Sequence, residues 1–323
     1  MQSTKKVSPG VLTRLRGHRV LITGGTGLLG KALIETAPAG WELVATYCHN
    51  EPPAAWRELF HRLDVRDPVA VEQLIAAVRP RMIIHAASIG GVDEAERHPE
   101  RVHAVNVQGT QAVGRACVRV GASLLFISSN AVFDGCAGPY DEEAPVRAVN
   151  RYGALKIEAE TWVRRCPIHW AIVRPILMYG WPLPGSRTNV VTRWLAQFEE
   201  GRLVEVDTDL YSTPLLASNC AEMIWACVVR ERTGIYHAAG PDRLSLLAFA
   251  HQVAQVFGFE PALAQPASAA SLSQFAPRPR DTSLVTSKVE RELGVRPIGT
   301  AEGLAIMRRT QAAAPQRLQR CES

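Results

Sequence analysis

Tyr152 is followed four residues later by Lys156, a spacing that none of the other five tyrosines shows. On a helix, side chains four positions apart lie on the same face. A phenol has a pKa of about 10, so it is a poor acid at neutral pH, and a nearby ammonium group lowers that pKa. The pair predicts a proton-exchange site at Tyr152, although the same spacing also occurs in ordinary amphipathic helices.

Two hydroxyl side chains, Ser128 and Ser129, end an apolar run that begins at Ser123. Such runs are typical of buried strands. A hydroxyl group at the carboxyl end of a parallel strand can hold a substrate carbonyl oxygen beside a tyrosine. The alternative is a turn that simply ends the strand. Taken with the Tyr152 and Lys156 pair, the position favours the catalytic interpretation.

A glycine-rich stretch, TGGTGLLG over residues 23–30, lies between a predicted strand and a predicted helix. Glycines at this spacing allow a tight turn and close approach of the backbone to a pyrophosphate, which then sits at a helix N-terminus. The stretch predicts dinucleotide binding, against the alternative of a turn without a ligand. A phosphate-binding loop of the nucleoside-triphosphatase type is disfavoured because Ala32 replaces the hydroxyl residue that ligates magnesium.

Short apolar runs alternate with helical patterns along the first half of the chain, which predicts right-handed βαβ units. The fold class expected is α/β, a doubly wound parallel Rossmann sheet with a smaller C-terminal substrate lobe, and ligands on such sheets bind beyond the carboxyl ends of the strands. The predicted strands are Arg19–Thr23, Glu42–Cys48, Arg62–Val65, Met82–Ala87, Ser123–Ser129 and Trp170–Arg174. The predicted helices include Val69–Val78, Thr110–Val120 and Lys156–Arg165.

The pattern changes after residue 180, where a proline-rich stretch begins. We therefore expect a flexible basic leader over 1–17, a dinucleotide-binding domain over 18–180 and mainly a substrate-binding lobe over 181–310. A strand near 235–238 is expected to return to the core sheet, and residues 311–323 are expected to form a frayed tail.

No apolar run approaches the ~20 residues that a membrane helix needs, and no apolar stretch follows the N-terminal charges, so a soluble, cytoplasmic protein is expected. The net charge of +5 is accounted for by the five Lys and Arg side chains of the first 19 residues, which include no acid. The rest of the chain is balanced, so neither nucleic acid nor a membrane is an expected partner. The seven cysteines form no CxxC pair and are expected to be reduced. The histidines show no HxxxH spacing, so no metal site is expected.

These motifs together resemble the extended short-chain dehydrogenase/reductases. The resemblance is strongest to the dTDP-4-dehydrorhamnose reductase group, which includes the regulatory beta subunit of methionine adenosyltransferase. It covers roughly residues 18–310. The segments that carry it are TGGTGLLG (23–30), LDV (63–65), HAAS (85–88), VNVQGT (105–110), ISSNAVFDG (127–135), PYDEEAP (139–145), NRYGALK (150–156), VRPILMYG (173–180) and RPRDTSLVTSK (278–288).

The resemblance implies catalytic roles for Ser129, Tyr152 and Lys156. In this family hydride passes from a nicotinamide to a ketone carbon, and the tyrosine supplies a proton to the ketone oxygen. Ser129 would polarise that oxygen, and Lys156 would also hold the nicotinamide ribose. The cofactor-binding residues implied are Gly24, Thr26, Gly27, Leu28, Leu29, Gly30, His49, Asp64, Val65, Ala86, Ala87, Ser88, Asn106, Tyr152, Lys156, Arg174, Pro175 and Ile176.

The cofactor predicted is NADP(H) in preference to NAD(H), with NAD(H) possible. An acidic residue at the end of the second strand would bind the ribose 2′-hydroxyl of NAD. The stretch Thr46–Asn50 contains no acid. A 2′-phosphate would therefore meet no repulsion there, and His49 or Arg57 could contact it.

The chain departs from rhamnose-type reductases at Asn130 and Ala131, where those proteins usually carry Asp and Tyr. The related sugar 4,6-dehydratases carry an acidic pair there, so dehydration is disfavoured. Candidate substrate residues are Asn130, Trp181 and Asn189. We expect a reductase of a 4-keto-deoxysugar nucleotide that could form a homodimer. The alternatives are a non-catalytic NADP-binding regulatory subunit and a sugar-nucleotide epimerase.

Overall fold

The computed structural model describes residues 18–267 and 275–311. The predicted leader over 1–17 lies outside the described residues, as do residues 312–323 of the predicted tail. The strands are β1 Arg19–Thr23, β2 Glu42–Tyr47, β3 Phe60–Arg62, β4 Met82–His85, β5 Ser123–Ile127, β6 Trp170–Pro175, β7 Met178–Tyr179, β8 Val204–Asp207, β9 Tyr211–Ser212, β10 Leu215–Leu216, β11 Gly234–Ala238, β12 Leu244–Ser245 and β13 Ala264–Ala267.

In the described residues, every connection from β1 to β6 except the one between β2 and β3 contains at least one α-helix. The α-helices are α1 Leu28–Glu35, α2 Pro68–Val78, α3 Val92–Arg97, α4 Pro99–His103, α5 Gly109–Val120, α6 Arg151–Arg165, α7 Val190–Glu199, α8 Ala217–Val229, α9 Leu246–Phe257 and α10 Thr300–Arg309. Each helix of the first half returns the chain to the same edge of the sheet, as parallel pairing requires.

The central sheet has seven strands in the order β11-β6-β5-β4-β1-β2-β3, and every pairing is parallel. From β1 the chain proceeds first toward β3 and then, from β4, in the opposite direction. In folds of this class, ligands bind where the order reverses, which here is beyond the carboxyl ends of β1 and β4. The predicted α/β doubly wound fold is confirmed.

Both faces of the sheet are buried, because successive residues of each strand point to opposite sides. Val20 and Ile22 of β1 belong to one apolar cluster, which also contains much of α8. Leu21 belongs to a second cluster on the other face, with residues of α2 and α5. Burial on both sides explains why the strands read as continuous apolar runs rather than alternating ones.

The third strand lies earlier in the chain than the sequence predicted. We expected Arg62–Val65, and β3 spans Phe60–Arg62. The reason is local, because the Asp64 carboxylate accepts a hydrogen bond from the backbone N–H of Arg66 at 3.0 Å. The backbone N–H of Asp67 also donates to the Asp64 carbonyl oxygen at 3.1 Å. These turn contacts end the strand before Asp64.

Helix α6 begins five residues before the predicted start. Asn150 is its N-cap, and the Asn150 side chain accepts a hydrogen bond from the backbone N–H of Gly153 at 2.9 Å. Asparagine is among the preferred N-cap residues. The cap places Tyr152 in the first turn and Lys156 in the second, on one face of the helix.

A second lobe packs α7, α9 and α10 around an apolar cluster that includes Val191, Phe198 and Phe249. Strand β11 leaves this part of the chain and pairs with β6. Within residues 18–267 and 275–311, no helix is long and apolar enough to cross a membrane.

Candidate functional site

Ser129, Tyr152 and Lys156 come together at the carboxyl end of β5. Ser129 lies two residues beyond that strand, and the other two side chains project from the first turns of α6. All three residues are buried. The Ser129 side chain is close enough to the Tyr152 phenol to influence its pKa, and its hydroxyl oxygen accepts a hydrogen bond from the backbone N–H of Ala131 at 3.1 Å. The structure therefore places a phenol, a hydroxyl and an amine in one partly closed site.

Burial raises the pKa of Tyr152 above its ordinary value, and this effect outweighs the hydrogen bond from Ser129. The charge of Arg187 and a hydrogen bond with Ser88 act in the same direction as Ser129 and are also outweighed. The expectation that Lys156 lowers this pKa is wrong for the structure, because desolvation of the phenolate dominates. Tyr152 is consequently a neutral phenol at physiological pH, the form that can donate a proton.

The Lys156 ammonium group is held between the sheet and two aromatic rings. Its Nζ donates to the carbonyl oxygen of Ile127 at 2.9 Å and lies 5.0 Å from the ring centroid of Phe126 and 5.8 Å from that of Tyr152. Burial lowers the pKa of Lys156 to about 8, and the nearby Glu160 carboxylate opposes that shift.

A buried ion pair lies directly behind the site. Arg174 on β6 donates to both carboxylate oxygens of Glu160, from Nε at 2.9 Å and from a terminal nitrogen at 2.7 Å. Ser128 donates to the same carboxylate at 2.5 Å, and a terminal nitrogen of Arg174 lies 3.5 Å from Nε2 of His237. Burial lowers the pKa of His237 to about 3, so its neutral Nε2 can accept.

This pairing changes the interpretation of the 174–176 segment. The segment was implied to lie near the nicotinamide, but the Arg174 guanidinium is engaged by Glu160 and His237 and is 2% exposed. Ile176 is buried, and its backbone N–H donates to the Ala238 carbonyl oxygen on β11. Pro175 is the last residue of β6 and has no N–H to donate.

The glycine stretch forms a tight turn in which side chains would not fit. Gly24 has a φ of +71°, and a Cβ there would lie 2.8 Å from the Cα of Ala87. A Cβ on Gly30 would lie 2.4 Å from the Gly24 carbonyl oxygen. Gly27 is the N-cap of α1 and has no side chain with which to cap the first N–H groups. The free backbone N–H groups at the start of α1 include those of Leu28 and Leu29 and lie beside the buried Thr26. Free N–H groups at a helix N-terminus bind anions, so this helix end suits a pyrophosphate.

The end of β4 is held by a hydrogen-bond chain that sequence reasoning missed. The backbone N–H of Ala87 donates to the Thr23 hydroxyl at 3.2 Å, and that hydroxyl lies 2.7 Å from Nδ1 of His85. Nε2 of His85 lies 3.1 Å from the Thr110 hydroxyl. Burial, with the charge of Lys156, lowers the pKa of His85 to about 3, so the ring is neutral. The sequence signal from which this chain of hydrogen bonds could have been predicted is the presence of Thr23 and His85 at the ends of neighbouring strands.

Asn106 supports the segment that follows β4. Its Oδ1 accepts from the Ser88 hydroxyl at 3.1 Å and from the backbone N–H of Ile89 at 2.9 Å, and its Nδ2 donates to the Ile89 carbonyl oxygen at 3.1 Å. Its amide is therefore occupied by protein contacts. Ala86 follows β4 directly and precedes this segment. Asn106 positions the crevice wall that Ala86, Ala87 and Ser88 form.

Basic side chains gather near the end of β2. His49 is exposed, and its Nε2 lies 3.6 Å from Sγ of Cys48. The charges of Arg66 and Arg62 both act on the Cys48 thiol. Asp64 is the one acidic residue named in this group, and its carboxylate is paired with Arg66 at 2.6 Å.

Val65 is buried, and its side chain lies where a Cβ of Gly109 would be. Sequence reasoning named His49 and Arg57 near the end of β2 and missed the two arginines near the thiol.

The three substrate candidates have different surroundings. Asn130 donates to the Thr282 hydroxyl at 2.6 Å, which ties the segment after β5 to the 278–288 segment. The indole N–H of Trp181 donates to the Met307 carbonyl oxygen at 2.8 Å, and its ring packs on Phe257. Both parts of Trp181 are thus used for packing in the second lobe.

Asn189 is the N-cap of α7. Its Oδ1 accepts from the backbone N–H groups of Val191 and Thr192, and its Nδ2 donates to the Gly180 carbonyl oxygen at 2.7 Å. These contacts give Asn189 a structural role at the start of the helix.

The glycine turn of the site suits a dinucleotide. Side chains at Gly24 and Gly30 would fill the turn at which a pyrophosphate would bind, and both positions are glycine. No group of three His, Cys, Asp or Glu side chains in the described ranges could hold a metal ion. The arrangement can bind a dinucleotide in the crevice and exchange a proton at Tyr152.

Comparison with known proteins identifies the family. The family model described as RmlD substrate binding domain matches residues 18–311. A dTDP-4-dehydrorhamnose reductase from Streptomyces griseus is 30% identical over 277 residues, covering 84% of this chain and 86% of that protein. The beta subunit of methionine adenosyltransferase 2 from Xenopus tropicalis is 28% identical over 281 residues, covering 85% of this chain and 82% of that protein.

A solved structure of similar architecture is dTDP-4-dehydrorhamnose reductase from Bacillus anthracis in complex with NADP. The TM-score is 0.78 at 26% identity, and the match covers 90% of this chain and 98% of that one. The resemblance predicted from the motifs is confirmed. The chain belongs to the RmlD substrate binding domain family, within the extended short-chain dehydrogenase/reductases.

Proposed function

We propose that this chain is an NADP(H)-preferring reductase of a 4-keto-deoxysugar nucleotide. The observation that carries the proposal is the meeting of Ser129, Tyr152 and Lys156 at the end of β5, beside the crevice of the glycine turn. The similarity to a dTDP-4-dehydrorhamnose reductase at 30% identity supports the substrate class.

The residues that would hold the dinucleotide line the crevice between β1 and β4. The glycine turn with its helix end would take the pyrophosphate, and the Ala86–Ser88 segment would form the opposite wall. A bound nicotinamide dinucleotide would supply the hydride for the ketone carbon. The neighbour from Bacillus anthracis was solved with NADP, which supports this cofactor class.

The proton comes from Tyr152 in this proposal. Because burial raises the pKa of Tyr152, the phenol carries its proton at neutral pH. The Ser129 hydroxyl would share the substrate oxygen and hold it for protonation. The Lys156 ammonium lies on the same face of α6 and stabilises negative charge that develops on the phenol oxygen.

Preference for NADP(H) follows from the charges near the end of β2. The stretch Thr46–Asn50 contains no acidic residue, His49, Arg62 and Arg66 lie near it, and the Asp64 carboxylate of the same group is paired with Arg66. A 2′-phosphate would find cationic partners there. Replacing His49 with Glu is expected to shift the preference toward NADH.

The test is a steady-state assay with purified protein, NADPH and a dTDP-4-keto-6-deoxyhexose. We expect oxidation of NADPH coupled to loss of the ketone, with slower turnover when NADH replaces NADPH. A protein that binds NADPH but turns over none of a panel of keto-deoxysugar nucleotides would contradict the proposal.

A second candidate function is a non-catalytic NADP-binding regulatory subunit. It is favoured by the 28% identity to the methionine adenosyltransferase beta subunit and by the Asn130–Ala131 departure. Asn130 has no carboxylate, and its side-chain amide donates a hydrogen bond to the Thr282 hydroxyl. Stable co-purification with a partner enzyme, together with absence of turnover, would support this alternative.

A further inference from the structure

Glu160 is a buried acidic residue of α6 whose contacts reach several parts of the Tyr152 site. It follows Lys156 by four residues, so the two side chains lie on the same face of the helix. Only 3% of Glu160 and 2% of Lys156 are exposed. Burial of a charged group is costly unless that group has polar partners. The partners of Glu160 therefore indicate what it contributes to the site.

Lys156 and Glu160 hold two consecutive residues at the end of β5. Nζ of Lys156 donates to the Ile127 carbonyl oxygen at 2.9 Å. The Ser128 hydroxyl donates to the Glu160 carboxylate at 2.5 Å. The next residue is Ser129, which the proposed function places against the substrate oxygen. The backbone that leads into Ser129 is therefore attached to the helix that carries the phenol.

Arg174 on β6 fixes the orientation of the Glu160 carboxylate. Its guanidinium donates to both carboxylate oxygens, from Nε at 2.9 Å and from a terminal nitrogen at 2.7 Å. The other terminal nitrogen lies 3.5 Å from Nε2 of His237, and the guanidinium carbon lies 5.3 Å from the ring centroid of Phe133. A carboxylate held by two parallel hydrogen bonds has a defined orientation. The oxygen that accepts from Ser128 is therefore held in place.

The Glu160 carboxylate also acts on the charge of Lys156. Within residues 18–267 and 275–311, no ion pair shorter than 4.0 Å includes Lys156. Burial lowers the pKa of Lys156 to about 8, and Glu160 is the group whose charge opposes that shift. Without this carboxylate, the lysine would lose its proton at a lower pH.

The other titratable groups around Lys156 and Glu160 keep one charge state near neutral pH. Burial raises the pKa of the phenol and lowers the pKa of both neighbouring histidines to about 3. Arginine stays protonated in proteins. The groups concerned are Tyr152 on α6, His85 on β4, Arg174 on β6 and His237 on β11. A change of charge at this site at mildly alkaline pH is therefore a change at Lys156.

We propose that Glu160, oriented by Arg174, is a positioning residue for the proton transfer, which holds the end of β5 through Ser128 and keeps the ammonium charge of Lys156 beside the phenol. This inference rests on the proposed reductase function and deepens it. Glu160 touches no reacting atom in this proposal and acts through the groups that do. Loss of its charge is expected to lower turnover more than substrate binding.

The first measurement is the pH profile of kcat for the wild type, for Glu160→Gln and for the double variant Glu160→Gln/Arg174→Met. The double variant removes both charges and so avoids the uncompensated guanidinium of the single variant. In both variants we expect activity to be lost at a pH at least about one unit lower than in the wild type. At about pH 8 such a shift lowers kcat about fivefold, while KM stays within about twofold.

The double variant separates this role from a purely structural one. A carboxylate that only stabilised the fold would allow the wild-type pH profile to return together with stability. If Glu160→Gln does not fold, the double variant carries the same test. The control is Glu158→Gln, because Glu158 lies on the same helix but is exposed and contacts His103. This control should keep the wild-type profile.

Ser128→Ala tests the contact with β5 separately from the charge. It removes the hydrogen bond to the carboxylate and leaves the ion pair with Arg174 in place. We expect kcat to fall about tenfold or more at every pH, as misplacement of a reacting group does. The pH at which activity is lost should remain that of the wild type, because the carboxylate still acts on Lys156.

The third measurement does not depend on turnover. The chain has five lysines, so carbon-13 labelling of lysine gives few NMR signals, and Lys156→Met identifies the signal of Lys156. We expect its titration to move to lower pH in both charge variants and to stay unchanged in Glu158→Gln and Ser128→Ala.

An unchanged Lys156 titration in both charge variants would overturn the proposal, as would a wild-type pH profile in the double variant. Wild-type kcat in Ser128→Ala would overturn it as well. Failure of the reductase proposal is distinguishable, because the Lys156 titration would still shift in the charge variants while no keto sugar nucleotide is reduced.

Discussion

The Nζ atom of Lys156 lies 2.9 Å from the backbone carbonyl oxygen of Ile127, the last residue of β5. This hydrogen bond ties the second turn of α6 to the strand whose chain continues into Ser128 and Ser129. It also holds an ammonium group in a position where only 2% of the residue is exposed. The depressed pKa of this lysine has a consequence for stability.

The first prediction concerns the pH dependence of stability. Burial lowers the pKa of Lys156 to about 8 from an ordinary 10.5, so between these values the unfolded chain binds more protons than the native protein. The contribution of this group is therefore fully present above pH 10.5 and is lost as the pH falls through about 8. Relative to Lys156→Met, the wild type should gain up to about 3 kcal/mol over that window.

The measurement is urea unfolding of both proteins at pH 7.5, 9 and 10.5. The two proteins share all their other lysines, cysteines and tyrosines. The titration of those groups therefore cancels in the difference between the two free energies of unfolding. Parallel stability curves for wild type and Lys156→Met would contradict the depressed pKa.

The second prediction concerns the proton donor. Tyr152→Phe removes the phenol oxygen while it keeps the ring that packs beside Lys156. We expect turnover of the keto sugar nucleotide to fall about 10²- to 10⁴-fold, the range typical of a lost general acid. Binding of NADPH should change little, and a fluorescence titration would measure it.

The matched control is Tyr211→Phe, because Tyr211 is exposed and its ring lies against Arg243. This variant should retain wild-type turnover. Full activity in Tyr152→Phe would exclude the phenol as proton donor.

The third prediction concerns the buried ion pair behind the site. Glu160→Gln leaves the Arg174 guanidinium buried without its carboxylate. Breaking a buried pair in this way costs about 3–5 kcal/mol of unfolding free energy. Glu200→Gln, at the exposed Arg202 pair, should cost less than about 1 kcal/mol. Urea unfolding at pH 7 compares the two variants, and equal costs would show that the buried pair contributes no more than a surface pair.

The fourth prediction concerns the glycine turn. A methyl group at Gly30 would lie 2.4 Å from the Gly24 carbonyl oxygen, whereas at Gly27 its nearest neighbour would be 3.3 Å away. Gly30→Ala is therefore expected to destabilise the protein by about 1–3 kcal/mol and to weaken NADPH binding at least about tenfold. Gly27→Ala should cost less stability. Thermal unfolding and NADPH titration of both variants provide the check, and a harmless Gly30→Ala would mean that the turn tolerates a side chain.

Much of the fold was predictable because its signals are local. Apolar runs, helix periodicity and the glycine stretch specify strand and helix order within a few residues, and parallel sheets with both faces buried require such runs. The approach of Ser129 to Tyr152 and Lys156 was expected from the hydroxyl at a strand end, from the helical spacing of the tyrosine and lysine, and from the family resemblance.

Features that depend on residues distant in sequence were not predictable. The pairing of Arg174 with Glu160 and His237 unites β6, α6 and β11. The position of Arg187 depends on a contact between Ser186 and Thr26, 160 residues apart. Neither the Arg174 pairing nor the position of Arg187 has a signal in the local sequence, because such contacts form only after the helices and strands pack together.

The sequence alone determines the order of the strands and helices, the position of the glycine turn and the chemical identity of the groups at the site. Tertiary structure decided how those groups ionise. The pKa of Tyr152 rises rather than falls because removal from water penalises the phenolate more than its neighbours stabilise it. Burial of this kind is a property of the packed chain, since it depends on every element that covers the side chain.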